Sequence, residues 1–246
     1  AAGLVLLSVI LVMIFIREPK EYISSKIHLA GKDDGSQIET KVFRNLKNVF
    51  TQADKSPMFI LLAILFWFIA YNAVETFFTL FGVNHLGLAG GDSAFQISYI
   101  GLVFMLLAVP AGLLASKIGR KTTIMIGILI MIACVALMYI IPANVLTIKY
   151  ASLLGNGIYT LSFILMIAGV GWAMINVNSL PMVVDMTDDD HIGTYTGLYY
   201  FFSQVAATFG PVLFGWSIKW ARNDYRLMMA IAPIFFLFAL FAMFGV

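Results

Sequence analysis

Tyr71, Asn72 and Glu75 lie three and four residues apart in an unbroken apolar stretch, so on a helix they share one face. Glu75 is the one carboxylate inside a predicted membrane span. A carboxylate at that depth can accept hydroxyls from a solute or carry a proton, and intramembrane ionisable groups mark pathways by default. Bonding to a neighbouring helix would also keep it there. Further along, Trp172 and Asn176 are one turn apart, in a stretch that also holds Asn156, Tyr159, Ser162 and Asn178. An aromatic face beside an amide suits sugars, whose C–H faces stack and whose hydroxyls hydrogen-bond. Helix pairing or capping accounts for the asparagines equally well. Tyr200, Gln204 and Thr208 then recur every four residues, with Tyr199 alongside. Such a polar stripe must face a cavity or another helix, although tyrosines also serve as interface anchors.

Other donors are less promising. Asp185, Asp188, Asp189, Asp190 and His191 are of types that metals use, but a consecutive run without calcium-loop spacing reads better as a solvated helix N-terminus. His28 and His85 fall in loops, and Cys134 sits in an apolar run as a small core residue. No nucleophile with its base and no phosphate-binding glycine loop is present, which argues against an enzyme and against ATP-driven transport. No cofactor is expected beyond a coupling H+ or Na+.

The elements that position these residues follow from composition. Of 246 residues 61% are hydrophobic and 11% charged, with a mean hydropathy of +0.93, far from ordinary soluble usage. The apolar runs extend without alternation over the ~20 residues that a spanning helix needs, which excludes a barrel. Fifteen basic residues collect in a few loops and form no face that tracks phosphates, so nucleic acid is not an expected partner, whereas lipid is.

Residues 1–16 are too short for a full span, lack a signal-peptide pattern, and read as the tail of a helix that begins upstream, making the chain a fragment. Residues 17–57 form a basic linker, within which Val42, Phe43, Leu46, Val49 and Phe50 fall at the spacing of a short interfacial helix over 39–52. Six spans are predicted over 58–83, 95–115, 122–141, 152–180, 193–216 and 226–246. Eight Lys and Arg residues in 17–57 and three in the 116–121 turn lie on one side. One in 142–151 and three in 217–226 lie on the other. Clustered basic residues favour the cytoplasm, so 17–57 and the turn are expected inside.

That turn, GLLASKIGRK over 112–121, resembles the G-x-x-x-D-R-x-G-R-[RK] turn of the major facilitator superfamily. Gly112, Gly119, Arg120 and Lys121 match, Lys117 stands for the first Arg, and Ser116 replaces the Asp. The stretches YNAVETFF (71–78), WAMINVNSLPMVVDM (172–186) and GTYTGLYYFFSQ (193–204) resemble the glycoside, pentoside and hexuronide:cation symporters, including bacterial relatives of the sucrose transporters. The resemblance implies an all-α, six-helix C-terminal bundle of two inverted three-helix repeats, 58–141 and 152–246, in a bacterial cytoplasmic membrane. It implies a solute such as a sugar, a partner N-terminal half and alternating access. Tyr71, Asn72, Glu75, Trp172, Asn176, Tyr200 and Gln204 would then bind solute, and Gly112, Lys117, Gly119, Arg120 and Lys121 would take part in gating. A non-transporting membrane sensor or scaffold on the same fold is the competing expectation.

Overall fold

Pro57 in the first turn needs no N–H there, and the Asp54 carboxylate accepts the Ser56 backbone N–H at 2.9 Å, which starts the first long helix. The computed structural model describes residues 54–153, 155–187 and 191–246. The expected helix tail, most of the basic linker with its interfacial helix, and Asp188 to Asp190 lie outside the described residues.

Six helices are long and apolar enough to cross a membrane among the described residues. They are α1 (Ser56–Asn84), α2 (Gly90–Ile118), α3 (Arg120–Ile140), α4 (Thr160–Val184), α5 (Ile192–Trp220) and α6 (Leu227–Phe244). Each of the six predicted spans overlaps one of them. With no water to satisfy backbone groups in lipid, helices absorb adjoining polar residues, so α1, α2 and α5 run past the apolar limits. α2 and α3 are separated by Gly119 alone, at φ 89° and ψ 146°. That region is essentially reserved for glycine, so a single residue can turn the chain back on itself.

The predicted start of the fourth span at 152 is incorrect. Lys149–Leu153 (β1) and Asn156–Tyr159 (β2) form an antiparallel hairpin, and α4 begins at Thr160. Asn156 and Tyr159 therefore belong to a strand. Gly155, at φ 83°, and Gly157 disfavour a helix locally, but α2 supplies the decisive contacts. The Asp92 carboxylate accepts the Gly157 N–H at 3.0 Å and the Tyr159 hydroxyl at 2.8 Å. The Gln96 amide donates to the Gly157 carbonyl at 2.9 Å and accepts from Ser162 at 2.5 Å. Gln96 and Ser162 are fully buried, so each bond also meets a polar group that would otherwise be costly.

Helix packing follows the exchange symmetry expected of two repeats. α4 packs on α2 and α3, α1 packs on α5 and α6, and α3 meets α6. Swapping α1–α3 for α4–α6 leaves that pattern unchanged. Because each repeat has three spans, the second must run inverted relative to the first. Small residues permit the closest approaches: a Cβ on Gly127 of α3 would lie 2.7 Å from the Gly171 carbonyl of α4, and one on Gly210 of α5 would lie 2.7 Å from the Ile69 carbonyl of α1. Large side chains such as Trp67, Phe78 and Phe236 fill the spaces between.

Candidate functional site

α1, α4 and α5 together enclose a cleft of about 430 Å3, running from the middle of the bundle toward the end that carries the Gly119 turn. Its polar lining is Asn72 from α1, Asn176 from α4, and Tyr199, Tyr200, Ser203 and Gln204 from α5. The remaining walls are Phe68, Val177, Leu180 and Ala207, so no carboxylate, imidazole, amine or guanidinium faces the cleft among the described residues. The Asn72 amide donates to the Phe68 carbonyl at 2.7 Å, which leaves its oxygen for other donors. Tyr199 is buried and its hydroxyl meets that of Ser179 at 3.0 Å. Tyr200, Gln204 and Thr208 are exposed, as the four-residue spacing requires if the stripe borders open space. Such a surface can exchange many hydrogen bonds with a neutral polar ligand.

The structure divides the candidates. Asn72, Asn176, Tyr200 and Gln204 converge on the cleft. Tyr71 and Glu75 instead border a cavity of about 20 Å3, otherwise apolar, with Ile100, Met131 and Leu165 among its walls. That volume holds about one water. Glu75 is also exposed on the open side of α1. Trp172 is 6% exposed and borders neither space; its ring is stacked against Tyr71, with centroids 3.6 Å apart and an interplanar angle of 0°. The platform expected from the Trp172 and Asn176 spacing is thus occupied by a side chain of the protein itself. Phe68 meets Trp172 edge-on at 5.6 Å and Tyr199 at 6.3 Å, linking this cluster to the cleft wall.

At the Gly119 turn, Arg120 Nε lies 2.8 Å from the Asp185 carboxylate at the end of α4, both side chains being partly exposed. Ser116 bonds back to the Leu113 carbonyl at 2.8 Å, so it does not replace the missing Asp as an ionic partner. A second cavity of about 190 Å3 lies beside this pair, with Gly112, Ser116, Arg120 and Asn178 on its rim. Lys117 is exposed and Lys121 half-buried. Asn178 is buried and donates to the Ala111 carbonyl of α2 at 3.4 Å as well as to Met174 within α4 at 2.9 Å, the interhelical role open to it from sequence. Sequence reasoning missed Asp185 as the partner of Arg120 and Asp92 as the anchor of the hairpin. Both pairs are more than sixty residues apart and carry no local signal.

At the opposite end, Arg226 donates to the Tyr139 carbonyl at 2.8 Å and lies 4.5 Å over the Tyr139 ring, tying the start of α6 to the end of α3. His85 stacks on Phe81 at 5.3 Å. Burial, and then the nearby Arg226 charge, hold its imidazole below the ordinary value. No group of three or more metal-ligating side chains is found among the described residues.

A family model described as Major Facilitator Superfamily matches residues 1–211. No curated protein sequence matches the chain. Two solved structures of a mutant peptide transporter POT are similar. The one in complex with sulfate is 16% identical with a TM-score of 0.62, over 78% of this chain and 37% of that one. The one in complex with alafosfalin is 18% identical with a TM-score of 0.61, over 78% and 38%. The chain thus spans less than half the length of these structures, and at such identities the likeness concerns the fold. That fold has the six spans and paired repeats described above, and the family match covers most of the sequence: the chain belongs to the Major Facilitator Superfamily.

Proposed function

We propose that this bundle is the C-terminal half of a secondary transporter that moves a neutral, hydroxyl-rich solute, a sugar, by alternating access in symport with H+ or Na+. The observation that carries this reading is the uncharged cleft lined by Asn72, Asn176, Tyr199, Tyr200, Ser203 and Gln204. Amides and phenols can donate to and accept from sugar hydroxyls without any counter-charge. A zwitterionic peptide would leave its carboxylate without a cationic partner on this wall, at a cost that buried unpaired charges make severe. The likeness to a peptide transporter therefore supports the fold more than the solute. Glu75, exposed beside the cluster, is the residue we assign to cation coupling.

In this reading the Gly119 turn faces the cytoplasm and the hairpin faces outward, as the distribution of Lys and Arg favours. The two repeats form one wall of a midplane site that rocks against an N-terminal half. Arg120 and Asp185 tie α3 to α4 at the cytoplasmic end, where Gly112, Lys117, Gly119 and Lys121 complete the gating turn. A sensor or scaffold on this fold has no need of an open polar cleft, which disfavours it. Uptake of labelled sucrose by vesicles containing the full-length protein, under an imposed proton or sodium gradient, tests the proposal. Gradient-dependent accumulation is expected, and binding of no glycoside under either gradient would overturn the sugar assignment.

A further inference from the structure

We propose that Tyr71 competes with the solute for Trp172: its ring covers the indole, and a solute with an apolar C–H face binds by displacing it. The inference rests on the sugar reading above and makes Tyr71 a specificity-determining residue that acts by competition. The two rings are parallel with centroids 3.6 Å apart. A full face-to-face sandwich is the arrangement aromatic pairs favour least, because both faces carry the negative end of the ring quadrupole. Phe68, by contrast, meets the same indole at 88°, in the favoured edge-on manner. A sugar ring presents polarised C–H groups to the indole, so it is a better electrostatic partner for that face than the phenol.

The surroundings suit such an exchange. Asn176, one turn along α4 from Trp172, lines the cleft, and Phe68 lines the cleft while touching the indole, so a single ring lies between the platform and the cleft. The displaced ring cannot enter the 20 Å3 cavity beside it, but α1 is exposed at Glu75 and Thr76. Glu75 is one turn on from Tyr71, within reach of a phenol that turns outward. Solute binding would then deliver a hydroxyl to the coupling carboxylate. Acyclic polyols, lacking a continuous C–H face, should displace the ring poorly.

The test uses the full-length protein in lipid nanodiscs with Trp216→Phe and Trp220→Phe, which removes the exposed indoles at 62% and 83%. Comparison with a matched Trp172→Phe variant isolates the Trp172 signal. Acrylamide quenching of Trp172 should rise about threefold in Tyr71→Ala and stay at the parent level in Tyr71→Phe. Sucrose should bind about two- to tenfold more tightly to Tyr71→Ala than to the parent, the range of one aromatic pair. Mannitol binding should be unaffected. Should Tyr71→Ala fail to fold, Tyr71→Leu keeps apolar volume without the ring and is read by the same measurements. Unchanged quenching, or sucrose binding that is equal to or weaker than the parent's, overturns the proposal. Absence of sucrose binding in parent and variants alike overturns the sugar reading and the exchange with it, whereas the quenching result still shows whether Tyr71 shields Trp172.

Discussion

Gln204 and Tyr159 represent two kinds of polar residue in this protein, one open to a cleft and one sealed in a network. Gln204 is exposed on the α5 stripe and lines the cleft. Under the proposed function, replacing it with Leu removes an amide from the solute wall without opening a core cavity, so KM for sucrose uptake should rise about tenfold while protein level is unchanged, a loss consistent with ~1–3 kcal/mol for an unmet hydrogen bond. Tyr159 is buried at the foot of the hairpin, and burial together with its bond to the Asp92 carboxylate pushes its phenol up from 10.0 to about 12. The folded value lies above the unfolded one, so the folded protein holds this proton more tightly. The associated stability is complete below pH about 10 and is lost as pH rises toward about 12. Thermal unfolding followed between those pH values should show this slope in the parent and a reduced slope in Tyr159→Phe. At neutral pH the same variant should lose about 1–3 kcal/mol, because Asp92 loses one of its donors.

At the scale of elements, helix length and close approach were legible to different degrees. The six apolar runs could be read directly, because the requirement for internally bonded backbone admits little else. The hairpin could not, because its stability comes from Asp92 and Gln96, far away in sequence, and an apolar window cannot register a bond across sixty residues. The α3–α4 contact makes a sharper prediction. A Cβ at Gly127 would meet the Gly171 carbonyl at 2.7 Å and the Ile175 side chain at 2.9 Å. Backbone cannot yield as a flexible side chain can, so Gly127→Ala should cost about 1–3 kcal/mol, seen as a lowered unfolding temperature in detergent. The Arg120–Asp185 pair, with side chains 38% and 57% exposed, should contribute little to stability. Its value lies in joining the Gly119 turn to the end of α4.

For the whole molecule, the repeat exchange relates α1–α3 to α4–α6 and places the Gly119 turn and the hairpin at opposite ends. If the basic turn is cytoplasmic, an impermeant maleimide should label Lys117→Cys only from the inside and Leu153→Cys only from the outside of sealed vesicles. Both positions are exposed, and the native Cys134, 2% exposed, should remain silent. Labelling from the reverse sides would invert the proposed orientation. Labelling of both positions from one side would contradict the span count.

Composition, run length and charge placement were sufficient to determine a multi-span helical protein, and the GLLASKIGRK turn pointed to its family. These are one-dimensional signals, because a lipid solvent constrains each span nearly independently. The division of the polar residues was decided only in three dimensions. Tyr71, Asn72 and Glu75 share a helix face, yet packing gives Asn72 to the cleft and sets Tyr71 against Trp172, a hundred residues away. Spacing along one helix states which side chains point the same way. What they meet depends on the neighbouring helix, and in a bundle held by close packing of small and aromatic residues that neighbour is set by the fold as a whole.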